Sequence, residues 1–119
     1  MKVTLVKIYQ SNLVIKKLVS QEMPANIAFR IGESTKVLEE KFGEIEKQRI
    51  SLVEKYGEPK DGKTQVKEDK IQDFVKEWGD LLKEETDIEI KKVPLNCLPD
   101  TVSLTPAEMR NIDFLFENN

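Results

Sequence analysis

Eight consecutive residues, Gly57-Glu58-Pro59-Lys60-Asp61-Gly62-Lys63-Thr64, satisfy the phosphate-binding pattern G-x-x-x-x-G-K-[ST] letter for letter. In a nucleotide-hydrolysing loop of that pattern, backbone N–H groups cradle phosphates, the lysine neutralises their charge and the hydroxyl holds magnesium. The geometry requires an apolar strand ahead of the loop and a helix opening at its lysine. Here the residues ahead, Arg49 to Tyr56, have the spacing of a charged amphipathic helix, and nothing downstream reads as an apolar strand ending in a metal-binding Asp. The match therefore predicts a tight reversal, or one opened into a small hairpin, with nucleotide binding at 57–64 as a remote alternative.

The chain has no histidine, which removes the commonest general base, the usual partner of a Ser or Cys nucleophile and the commonest metal ligand. Carboxylate pairs such as Glu39-Glu40 and Glu84-Glu85 are adjacent in sequence. On a helix they diverge by about 100° and cannot converge as an acid and base. Cys97 is the only cysteine, so neither an intramolecular disulfide nor a thiolate metal cluster can form, and a reducing compartment is expected. No catalytic residue, cofactor or metal is predicted.

What remains is recognition. Arg30, Lys36 and Lys41 would present cations along one helix if that helix lined a cleft, and otherwise form a solvated stripe. Arg49 stands at an apolar seam position, where it either pairs and fixes helix register or extends to water. Trp78 reads as a core residue or an interface anchor, and Phe42 and Tyr56 add aromatic area. The candidate binding residues are therefore Arg30, Lys36, Arg49, Tyr56 and Trp78, and a small-molecule ligand, if there is one, should be anionic.

The elements that must position them follow from spacing. Lys2 to Ile8 is rich in β-branched residues and predicts a short strand. Ser11 or Asn12 would then cap a short helix carrying Val14, Ile15, Leu18 and Val19, which ends before Pro24. From Pro24 no further proline intervenes before Tyr56, and Gly57 supplies a stop. A single helix of about 50 Å results. Its positions Ala28, Ile31, Thr35, Leu38, Phe42, Ile45, Arg49, Leu52 and Tyr56 repeat every seven residues as a coiled-coil-like seam. Ile71, Phe74, Val75, Trp78, Leu81 and Leu82 line a second helix from about Lys67 to Glu85, antiparallel to the first. Thr86 to Val93 alternates as a half-buried strand and is the natural partner for the N-terminal one. Thr105-Pro106-Ala107-Glu108 spells a capping box opening a last helix with Ile112, Leu115 and Phe116 on its apolar face.

The predicted fold class is α+β, mostly α, in one domain over residues 1–119: a long antiparallel helical hairpin, a two-stranded β element and a C-terminal helix. The hydrophobic fraction of 39% against 34% charged residues suits long exposed helices. A net charge of −3 gives no general basic field for nucleic acid. The segment MKVTLVKIYQ lacks the apolar run and cleavage site of a signal peptide, and no membrane span is expected. The cytoplasm is the predicted location.

ANIAFRIGESTKVLEEKF, the KYGE-x-x-DG turn and the closing VSLTPAEMRNIDFLFE resemble a loose group of small uncharacterised proteins of tailed phages and prophages of Gram-positive bacteria. The likeness spans nearly the whole chain, and its motifs are packing and turn signals. It implies a non-enzymatic accessory protein in the host bacterial cytoplasm, one that binds a host protein or sequesters an anionic, nucleotide-like defence signal. The alternative it implies is a virion assembly protein or a prefoldin-like chaperone. The seam and the surface that a lone helical hairpin leaves open predict a homo-oligomer, most simply a dimer.

Overall fold

Proline at a helix entrance and glycine at its exit set the largest element. In the computed structural model, which describes residues 1–117, Pro24 caps a helix running Ala25–Tyr56, and Gly57 closes it in an extended conformation. This helix, α2, is joined by α1 (Leu5–Val19), α3 (Ile71–Leu82) and α4 (Pro106–Ile112). Three two-stranded pairings complete the fold: β1 (Lys2–Thr4) antiparallel to β4 (Glu85–Asp87), β2 (Gly57–Lys60) antiparallel to β3 (Lys63–Val66), and β5 (Val93–Pro94) parallel to β6 (Phe116–Glu117). The protein is mostly α with small β additions, in an elongated body of 50 × 30 × 23 Å.

Four details depart from the sequence reading. The N-terminal strand stops at Thr4, whose Oγ1 accepts from the Lys7 N–H at 3.3 Å and caps α1. Ser11 and Asn12 are buried inside that helix instead of capping it, and the Ser11 hydroxyl donates to the Ile8 carbonyl at 2.8 Å. Ile8, Ser11, Asn12, Ile15 and Leu18 form one buried stripe at helical spacing, so tertiary packing outweighs the strand preference of the β-branched run. Second, helix α3 begins only at Ile71, after a 3-10 turn at Glu68–Lys70, and ends at Leu82. Third, the expected strand over 86–93 divides: β4 meets β1 with Val3 opposite Thr86, as anticipated, while Val93 pairs with Phe116. Fourth, the last helix ends at Ile112 because the chain turns through Asp113–Leu115 to reach that pairing. Its start is as expected, with Thr105 and Glu108 exchanging both capping-box bonds.

The seam of α2 is consumed within the chain. Ile31, Thr35, Leu38 and Ile45 are buried, Ile27 replaces the exposed Ala28 at its start, and α1 lies antiparallel along this half of the helix. The polar break at Thr35 is satisfied locally, its hydroxyl donating to the Ile31 carbonyl at 2.9 Å. With Ile112, Leu115, Val93 and Phe116 from the C-terminal segment, these residues make the core.

Beyond Ile45 the picture changes. From Glu46 to Asp87 no residue is buried, and the core resumes at Ile88. The last three turns of α2, the β2–β3 hairpin and α3 thus form an arm that leans on itself and leaves apolar side chains in water. Ile50, Ile71 and Val75 are 48, 46 and 58% exposed.

Candidate functional site

The hairpin occupies the segment that matched the phosphate-loop pattern. Asp61 and Gly62 take positive φ values of 52° and 76°, the requirement of a two-residue hairpin turn. Lys63 and Thr64 lie on β3, the loop follows a helix, and the next helix starts eight residues after the lysine. No backbone N–H cradle at a helix N-terminus exists there. Gly57 has its own reason to be glycine, since a Cβ would run into the Val53 carbonyl oxygen and the Thr64 methyl.

The five candidate binding residues are dispersed. Arg30 and Arg49 sit nineteen residues apart on α2, about 28 Å along the axis. Lys36 is exposed, about 120° round the helix from Arg30. Arg49 is half-buried and held by both oxygens of Glu46, at 2.9 and 3.0 Å. That bidentate pairing holds the Glu46 carboxyl below its ordinary value and the Arg49 guanidinium above its own. Beside them Tyr9 is raised, first by burial and then by the Glu46 charge.

Tyr56 donates to Glu77 at 2.5 Å, and Lys55 approaches the same oxygen at 2.7 Å. The Lys55 ammonium, then the Tyr56 hydroxyl, lower the Glu77 pKa, and Glu77 in turn raises both partners. Trp78 packs edge-on to Tyr9 with centroids 5.4 Å apart, and Phe42 lies tilted against Tyr9 at 5.3 Å. Arg49, Tyr56 and Trp78 are thus committed to contacts that tie the arm to itself and to α1.

Arg30 is the exception. It lines a hollow of about 490 Å³ together with Phe29, Glu33, Lys91, Lys92, Val93, Pro94 and Glu117. The hollow forms because the segment before β5 is bound alongside α2, with the Ser34 hydroxyl donating to the Lys91 carbonyl at 2.5 Å. Lys91 approaches Glu33 loosely at 3.8 Å, while Arg30 and Lys92 make no ion pair among the described residues. Phe29 stands 67% exposed beside them. Sequence reasoning passed over Phe29, Lys91 and Lys92. The available signal was an aromatic residue half a turn from the seam, and a lysine pair at the close of an alternating strand.

Among the described residues no cluster of three or more His, Cys, Asp or Glu side chains could hold a metal ion, and no helix is long and apolar enough to cross a membrane. Comparison of the chain with protein-family models, curated proteins and solved structures finds no match.

Proposed function

We propose that this chain is a non-enzymatic binding protein that holds an anionic, nucleotide-like ligand in the hollow between α2 and the Lys91–Pro94 segment. The observation that carries the reading is the pair of unneutralised cations, Arg30 and Lys92, facing the same space as the exposed Phe29 ring. A planar group stacked on Phe29 and phosphate oxygens on Arg30 and Lys92 would satisfy both chemistries at once. The volume lies within the range of small-ligand sites. The likeness to phage accessory proteins supports a setting in a host cytoplasm, where sequestering such a ligand would blunt a defence signal.

The test is calorimetric titration with a panel of linear and cyclic nucleotides against the wild type, Arg30→Glu/Lys92→Glu and Lys36→Glu. Loss of two charge-assisted hydrogen bonds should weaken binding by about 3 kcal/mol or more, roughly a hundredfold, in the double variant, while Lys36→Glu binds as the wild type does. Equal affinity in the double variant with unchanged helicity, or no nucleotide bound at millimolar concentration, contradicts the reading.

A second reading, that of an assembly or chaperone-like structural protein, is favoured by one specific observation: the arm from Glu46 to Asp87 buries no residue of its own.

A further inference from the structure

We infer that the open side of the arm is the interface with a second copy of this chain, packed antiparallel across a two-fold axis near Ile50. The side can be located from the helical register. At about 100° per residue, Lys55 on α2 and Glu77 on α3 each lie about 100° to one side of the line joining the two helices, which agrees with their 2.7 Å ion pair. Ile50 and Val53 on α2, and Val75 on α3, lie to the other side. Upstream, α1 covers that side of α2 through Tyr9 and Phe42, but α1 begins at Leu5, level with Ile45. Beyond it no helix covers that side, which is flanked only by β3, whose Thr64 borders a hollow with Ile50, Val53 and Glu54. Two antiparallel helices with a common apolar side open are half of a four-helix bundle, which a two-fold mate completes.

The areas match what such a dimer needs. A standard interface takes about 800 Å² from each partner, of which about 500 Å² is apolar in a homodimer. Ile50, Ile71 and Val75 each expose about half their surface, and the uncovered edges of Val53 and Trp78 add a smaller share, which together supplies apolar area of the same order.

The charges are self-complementary as well. Lys47 and Glu54 are both exposed and make no ion pair among the described residues. They stand two turns apart on nearly one line of α2, roughly centred on Ile50. A two-fold antiparallel mate places each Lys47 opposite the Glu54 of the other copy, the reciprocal contact an isologous interface requires. This surface is separate from the Arg30–Lys92 hollow, so dimerisation and ligand binding succeed or fail independently.

The experiment is sedimentation velocity from low to several hundred micromolar. The wild type should pass from 13.7 kDa to twice that mass. Ile71→Asp/Val75→Asp should raise the dissociation constant by roughly a hundredfold while retaining helicity. Because that variant puts charge on a structural face, a charge exchange provides the second arm. Lys47→Glu alone and Glu54→Lys alone should each weaken self-association by about tenfold, and an equimolar mixture of the two should restore it as a heterodimer. A wild type that stays monomeric throughout overturns the inference. So does a dimer indifferent to the Asp variant, or a mixture no stronger than its components.

Discussion

The body and the arm are both built from amphipathic helices yet solve burial differently. In the body each apolar stripe is met by another: Ile8, Ile15 and Leu18 of α1 face Ile31, Leu38 and Ile45 of α2, and Ile112, Leu115 and Phe116 close the remaining side. In the arm the stripes of α2 and α3 meet little beyond each other and Tyr9 of α1, so Phe74 and Trp78 are only partly covered and Val75 is mostly in water. Two helices cannot enclose a core; three layers of side chains can. The number of faces available, not the hydrophobicity of each, separates the two regions.

The largest expected effect breaks that comparison if it fails. Leu18→Ala in the body should cost about 3 kcal/mol or more of unfolding free energy, because a fully buried leucine leaves a cavity. Val75→Ala in the arm, measured by the same urea melts at a concentration where the chain is monomeric, should cost under about 0.5 kcal/mol. Similar losses at the two positions would mean the arm is as well packed as the body.

A smaller effect sharpens the joint between them. Glu46 is held below its ordinary value of 4.5 chiefly by its hydrogen bonds with Arg49. A carboxyl depressed in the folded state adds stability above its unfolded pKa and loses it as pH falls through the folded one. The pair is partly solvent-exposed, so its contribution is about 1 kcal/mol or less. Glu46→Gln should therefore melt lower than the wild type at neutral pH, with the gap closing below pH 4.5. Glu77 and Glu108, depressed by Lys55 and Lys17 respectively, keep a residual acid dependence in the variant. A gap that persists unchanged in acid would show that the Glu46–Arg49 contact does not couple to folding.

Where local chemistry decides structure, the sequence was readable. Pro24, the Asp61-Gly62 turn and the Thr105–Glu108 box mark element ends through φ preference and hydrogen-bond valence, and each stands where those rules put it. Gly57 stops α2 where expected but in an extended conformation, with close approach as its reason to be glycine. Readings that depended on distant partners fared differently. Val3 to Ile8 has strand composition, but only its first residues meet β4; from Leu5 the chain follows the stripe that packs on α2. The seam of α2 suggested a partner helix from another chain, and α1 fills that place along its first half. The candidate site suffered most. Arg30 alone of the five lines a hollow with other cations, because the Lys91–Pro94 segment is brought to it by a serine hydrogen bond and a parallel pairing with residues 116–117, neither of which has a local signature.

Backbone amide exchange followed at two protein concentrations tests the division between body and arm most directly. In dilute solution the amides of α3 and of α2 beyond Glu46 should exchange well ahead of those in α1 and in α2 up to Ile45, since amides under thin side-chain cover open locally. As concentration rises through the association range, protection should increase around Ile50–Glu54 and Ile71–Val75 while the body stays unchanged. Equal protection of arm and body in dilute solution, or an arm indifferent to concentration, would contradict the account.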